Sequence, residues 1–323
     1  MFKDFANVWS PVEQSIKLAT QPIQFELAGE KIVLFRSKTG SVHALLDRCP
    51  HRGVALSLGK VTPEGCLECP FHGWQFEGDG SCTHVPLNPE ARRELLAATP
   101  IPVRELGGLI WVYTAAGATA PEEPQLPDGL LRDDVARVVL VEEWNAHWTR
   151  AMENMLDSPH LPFVHRRTIG RAMRAQLKPK SKMHVEWEDT PFGGRTKARL
   201  DGARSEAMLE FYRPNVMALH IPIPGKHFRI HAICVPRGGN RTRMIVVGSR
   251  DFLKMPLLDT FFRKANRRII KEDQAVVESS TPSEIPPGAL ERSVESDRAT
   301  LQFRRYYYAM LRGSGHTPAK TEV

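Results

Sequence analysis

Two short runs, Cys49-Pro50-His51-Arg52-Gly53 and Cys69-Pro70-Phe71-His72-Gly73-Trp74, constrain this chain more than any other feature. Each offers one thiol and one imidazole, in the patterns C-x-H and C-x-x-H, with 17 residues between His51 and Cys69. Two Cys and two His in close pairs could bind zinc or an iron–sulfur cluster. Zinc fingers usually take two Cys first and two His later. A mixed pair in each loop suits a cluster of two unlike irons, one held by both thiolates and one by both imidazoles. The Pro after each Cys and the Gly after each ligand group favour tight turns with backbone N–H groups free to face sulfur.

On these residues the chain resembles the Rieske iron–sulfur family over about residues 40–115. The resemblance implies a [2Fe–2S] cluster held by Cys49, His51, Cys69 and His72. Respiratory-type members clamp these loops with a further disulfide. Val54 and Phe71 stand at the corresponding places here, which points to the oxygenase-type branch. The remaining cysteines, Cys66, Cys82 and Cys234, read as small buried residues. Five cysteines and no charged-then-apolar leader argue against a disulfide scaffold and suggest a cytoplasmic chain.

The 323 residues suit two domains better than one core. Residues 22–28 and 31–36 flank Gly29 like a hairpin, and Val42 to Leu46 and Leu109 to Tyr113 read as further strands. An Ala-, Gly- and Pro-rich stretch over 115–130 reads as a linker. This divides the chain into a cluster domain, 1–118, with its loops at about 49–74, and a second domain, 119–323. In the second, Thr149 to Leu156 reads as a helix. Residues 207–213, 215–223, 228–236 and 242–249 read as a strand meander. Pro256 to about Ser279 and Arg292 to Leu311 read as two more helices.

The segment Glu153-Asn154-Met155-Leu156-Asp157-Ser158-Pro159-His160-Leu161-Pro162-Phe163-Val164-His165 carries a second constellation. Three-residue steps keep Asn154, Asp157 and His160 near one side of a helical turn, and Pro159 and Pro162 break the helix so that His165 can fold back. Two His and one carboxylate form the facial triad that holds non-haem Fe(II) with open positions for dioxygen. The third ligand would come from Lys271-Glu272-Asp273-Gln274-Ala275-Val276-Val277-Glu278, where Glu272, Asp273 and Glu278 all compete.

The pattern E-N-x-x-D-x-x-H-x-x-x-x-H resembles the iron site of the Rieske non-haem iron oxygenases, and the resemblance now spans almost the whole chain. It implies an α+β architecture: an all-β Rieske domain followed by a catalytic domain whose antiparallel sheet is flanked by helices, a START-like helix-grip. It implies mononuclear Fe(II) on His160, His165 and Asp273, with Asn154 near the iron. Asp157 would bridge by hydrogen bonds from an iron-bound His to His72 of another chain. The resemblance also implies O2, a separate reductase or ferredoxin, and a head-to-tail homotrimer. Within the family the chain resembles the dicamba and vanillate O-demethylases, and the substrate would be a small aromatic or natural-product molecule that is hydroxylated or O-demethylated. A Rieske-type electron carrier without oxygenase activity is the competing reading, but it leaves the later Asp and His residues unused.

Pocket residues are read from strand alternation and from the same resemblance. His220 and His231 are expected to touch substrate, His220 standing where Asn would be expected, with Met217, Ile221 and Ile233 as further lining. Charge is divided along the chain. Residues 1–149 carry 13 Lys and Arg against 19 Asp and Glu, a net of −6; residues 150–323 carry 31 against 18, a net of +13. No basic block interleaved with aromatics suggests nucleic acid, and no apolar run reaches the roughly 18 residues of a membrane helix. The two halves could instead meet across chains in a ring.

Overall fold

The computed structural model of the protein describes residues 1–117, 119–203 and 206–312. The chain divides into two compact units, Met1–Pro124 and Gln125–Val323.

The first unit is built from short antiparallel strands: β1 (Trp9–Gln14), β2 (Ile23–Leu27), β3 (Glu30–Arg36), β4 (Val42–Leu46), β5 (Lys60–Val61), β6 (Leu67–Glu68), β7 (Gln75–Phe76), β8 (Cys82–His84), β9 (Pro100–Ile101), β10 (Val103–Leu106) and β11 (Leu109–Tyr113). They form three sheets, ordered β1-β11-β10, β2-β3-β4-β9 and β5-β6-β7-β8. The expected hairpin is β2–β3, turning through Ala28 and Gly29. Val33, Phe35, Leu45, Leu56, Leu67 and Phe76 form a core that also takes in Cys49 and Cys69. The cysteines thus sit at the base of their loops, against packed apolar side chains.

The second unit centres on one seven-stranded antiparallel sheet. Its strands are β12 (Ala136–Trp144), β13 (Met183–Thr190), β14 (Gly193–Leu200), β15 (Ala207–Tyr212), β16 (Val216–His220), β17 (Phe228–Pro236) and β18 (Thr242–Arg250), in the order β12-β18-β17-β16-β15-β14-β13. The helices are α1 (Asp128–Leu131), α2 (Trp148–Leu156), α3 (Leu161–Val164), α4 (Arg171–Gln176), α5 (Pro256–Val277) and α6 (Arg298–Tyr306). Helix α2 packs on β16 and β17, α5 on β12 and β18, and α6 on β13. This is the α+β arrangement expected: an all-β unit, then an antiparallel sheet carrying helices.

Two of the expected elements differ in extent. The last helix starts at Arg298 rather than Arg292, because Val294 is extended and the Asp297 carboxylate accepts its N–H, closing a short turn first. After Tyr306 the helix widens into a π turn, Tyr307–Leu311. The 215–223 strand ends at His220, before Pro222, and turns through the bridge between Ile223 and Lys226. Among the described residues no helix is long and apolar enough to cross a membrane.

Candidate metal centres

The two cysteine loops fold alike. In each, the Cys N–H donates to the carbonyl five residues on, Cys49 to Val54 and Cys69 to Trp74, both at 2.8 Å. In each, the Gly N–H returns to the Cys carbonyl, Gly53 at 2.8 Å and Gly73 at 3.0 Å. Both glycines take φ near +70°, which side chains resist. The thiols are buried while His51 and His72 stand exposed at the loop tips. The two imidazoles lie 4.7 Å apart between ring centres, and His51 stacks on Trp74 at 4.6 Å with only 3° between planes. Burial pushes the Cys49 thiol up to about 11, although the backbone N–H groups of His51 and Arg52 pull it down. Iron bonded to the thiolates would remove that penalty, so the donor set fits a cluster with its thiolate side inward and its imidazole side outward.

The second cluster of ligand-type side chains comes from α2, α3 and α5. Helix α2 stops at Asp157, whose backbone is extended, and Pro159 prevents continuation. His160 then opens α3, and His165 closes it. One donor atom each from His160, His165 and Asp273 lies within 4.8 Å of the others. Asp273 Oδ1 is 3.0 Å from His165 Nε2 and 3.5 Å from His160 Nε2. Yet this buried oxygen makes no hydrogen bond among the described residues. A buried carboxylate oxygen without a hydrogen bond is costly, and a cation held between it and the two Nε2 atoms would satisfy all three. The donor set therefore fits a 2-His-1-carboxylate iron site.

The opposite ring nitrogens are held by carboxylates. Asp157 Oδ2 faces His160 Nδ1 at 3.2 Å and also accepts the His160 backbone N–H at 3.1 Å. Glu272 Oε2 faces His165 Nδ1 at 2.9 Å and accepts the Thr168 hydroxyl at 2.6 Å. Burial would lower the His165 pKa, but the Asp273 and Glu272 carboxylates raise it on balance. Glu272 thus faces a ring rather than standing on a solvated helix face. Glu278 is elsewhere, accepting from the Asn145 N–H and Gln274.

Two cavities adjoin this group. The inner one, about 70 Å³, is lined by Asn154, His160, His165 and Asp273 on one side and by Leu209, Met217, Leu219, Ile230 and Ala232 of the sheet on the other. The outer one, about 330 Å³, lies between α4 and the ends of β14, β15 and β16, and His220 and Ile221 line it. Leu161, Ile169, Ala207 and Leu219 line both. His220 Nε2 is engaged by Glu210 at 3.1 Å; Arg195 and the Tyr212 hydroxyl also donate to Glu210. Asn154 Nδ2 is buried without a hydrogen bond among the described residues.

His231 is a correction to the sequence reading. Ile230 and Ala232 line the inner cavity, so alternation along β17 turns His231 to the other face of the sheet. There it meets Ser249 at 3.3 Å, fully buried, and burial lowers its pKa to about 3. Ile233 shares that face for the same reason. Thr168, Ile169 and the ring-holding role of Glu272 were missed from sequence, since their partners are distant in the chain.

Comparison with known proteins agrees with these two centres. Residues 8–102 match the Rieske [2Fe-2S] domain family, and residues 144–313 match the vanillate O-demethylase oxygenase C-terminal domain. Chlorophyllide a oxygenase of Chlamydomonas reinhardtii is 30% identical over 93% of this chain and 47% of its own length. The 3-chlorobenzoate-3,4-dioxygenase oxygenase subunit of Comamonas testosteroni is 35% identical over 49% of this chain and 37% of its own. The chain thus spans about half the length, or less, of these curated relatives. Among solved structures, dicamba monooxygenase bound to dicamba superposes with a TM-score of 0.78 at 23% identity, covering 94% of this chain and 96% of that one. NdmB of Pseudomonas putida CBB5 gives 0.78 at 25% identity, covering 93% and 89%. The family implies an oxidoreductase with a Rieske cluster and a mononuclear iron. With both domains present in order, and with donor sets that fit both metal groups, the chain belongs to the Rieske non-haem iron oxygenases, as an oxygenase (alpha) subunit.

Proposed function

We propose that this chain is the terminal oxygenase that uses O2 and singly delivered electrons to hydroxylate or O-demethylate a small organic molecule. The observation that carries this is the convergence of His160, His165 and Asp273 beside an apolar cavity. A pure electron carrier needs neither. Cys49, His51, Cys69 and His72 would hold the cluster, and His160, His165 and Asp273 the iron. When bound, the cluster supplies single electrons and the iron supplies activation of dioxygen at its open positions.

The protein's own side chains do the rest. Asp157 and Glu272 orient the two rings, so that each Nε2 is presented unprotonated. Leu209, Met217, Leu219, Ile230 and Ala232 exclude water and seat an apolar body. His220, at the outer cavity, is the candidate contact for a polar group on the substrate. Asn154 would sit beside the iron from the helix that precedes it.

Electrons would reach the cluster from a separate reductase or ferredoxin, as membership of this family implies. Asp157 would pass them on by linking His160 to His72 of a neighbouring copy in a head-to-tail trimer. The −6 and +13 halves of the chain support such a pairing. The chain would work in the cytoplasm or another reducing compartment, where Cys66, Cys82 and Cys234, which have no metal role, stay thiols. Iron analysis with EPR on the purified chain tests the reading: a third iron beyond the cluster pair, with a signal perturbed by aromatic acids or methyl ethers, is expected. Two irons per chain, with no gain on adding Fe(II), would sink it.

A further inference from the structure

We infer that Glu272 is a positioning residue, fixing the His165 imidazole so that its Nε2 faces Asp273. This rests on reading His160, His165 and Asp273 as the iron site. An imidazole that binds metal through Nε2 carries its proton on Nδ1, and a buried Nδ1–H needs an acceptor. For His160 the acceptor is Asp157. For His165, only 1% exposed, it is Glu272 Oε2 at 2.9 Å. Glu272 and Asp273 are consecutive on α5, so their side chains diverge by about 100° around the helix axis. Asp273 points inward beside both Nε2 atoms, while Glu272 passes around the rim of the same ring to its far nitrogen.

Glu272 is itself held in place. The Thr168 hydroxyl donates to the same Oε2 at 2.6 Å, and the Arg268 guanidinium lies 3.6 Å from Oε1, one turn earlier. Thr168 lies in the turn that follows α3 and precedes Ile169, which lines both cavities. One carboxylate oxygen therefore joins the ring of a proposed ligand to the segment that walls the substrate space. Glu272 is excluded as a competing ligand by the same geometry, because it meets Nδ1 and not the Nε2 pair.

The test is Fe(II) affinity of the full chain, measured by competition with a chromophoric Fe(II) chelator, alongside the EPR signal of the Fe(II) site treated with nitric oxide. Visible absorption of the [2Fe–2S] cluster reports folding in every sample. Glu272→Ala is expected to weaken Fe(II) binding by about 10- to 100-fold and to change the rhombicity of the nitric oxide signal. Glu272→Gln keeps an acceptor oxygen for Nδ1–H, so both readouts should return to within about 5-fold of the parent. A parent chain that binds no Fe(II) overturns the iron-site reading and this inference together. A parent that binds, with Glu272→Ala binding equally well, overturns this inference alone. So does a loss in Glu272→Gln as large as in Glu272→Ala, because a mere orienting acceptor would have been restored.

Discussion

A single oxygen of Asp157, Oδ2, lies 3.1 Å from the backbone nitrogen of His160 and 3.2 Å from its ring Nδ1. The carboxylate therefore caps the chain reversal between α2 and α3 and orients the ring in one stroke. It is also part-exposed, with a quarter of its side-chain surface accessible, so a group from another molecule can reach it. Asp157→Asn keeps an acceptor for both contacts, and both metals should remain. Charge at the proposed bridge is lost, and electron transfer from cluster to iron should slow by about 100-fold. Stopped-flow oxidation of the reduced cluster in a single turnover measures this; parent-like rates would remove Asp157 from the path.

Asp273 has the opposite character. It is 3% exposed, and its Oδ1 makes no hydrogen bond among the described residues. Asp273→Ala removes the only carboxylate beside the two Nε2 atoms among the described residues. The variant should lose mononuclear iron while the cluster spectrum stays intact, since the cluster loops belong to the other unit. Iron content with retained turnover would take Asp273 out of the triad.

What could be read from sequence follows from how local each feature is. The cluster loops were legible because four ligands fall within 24 residues and the turn chemistry lies beside them. The central strands showed by apolar alternation. Strands β13 and β14 did not, because they are studded with charge. Glu186 stands opposite Lys197 and Glu188 opposite Arg195, and only the pairing makes these segments read as sheet. Glu272 was ambiguous for the same reason: its ring partner is 107 positions away. Alternation along β17 permits two phases, one turning His231 and Ile233 to the cavity and the other Ile230 and Ala232; only the folded sheet shows that the second holds.

Glu210 predicts a pH dependence of stability. Burial alone would raise its pKa, but hydrogen bonds from His220 and Arg195 outweigh burial and bring it to about 2, from an ordinary 4.5. A carboxylate with a depressed folded pKa stabilises fully above its unfolded pKa, and that contribution is lost as pH falls from about 4.5 toward 2. At neutral pH it is worth about 3 kcal/mol at most. Glu210→Gln should therefore melt below the parent at pH 7, with the gap narrowing as pH drops to about 3. Thermal unfolding at both pH values checks this, and a gap that does not change with pH would contradict it.

Leu161, Ile169, Ala207 and Leu219 line both cavities, so a route from the outer space to the proposed iron would run past them. Ala207 is the smallest of them, and it opens β15 opposite Ala198, so little side-chain volume stands at that point. Ala207→Trp would add an indole where the outer space narrows into the inner. Ala207 lies on β15 and supplies none of the ligand atoms, so iron and cluster content should match the parent. Binding of an aromatic test ligand, followed by perturbation of the iron-site EPR signal, should weaken by at least about 10-fold, the scale of one obstructed apolar contact or more. Small probes such as nitric oxide should still reach the iron. If instead the aromatic ligand binds as before, it enters by another route, and the outer cavity is not the way in.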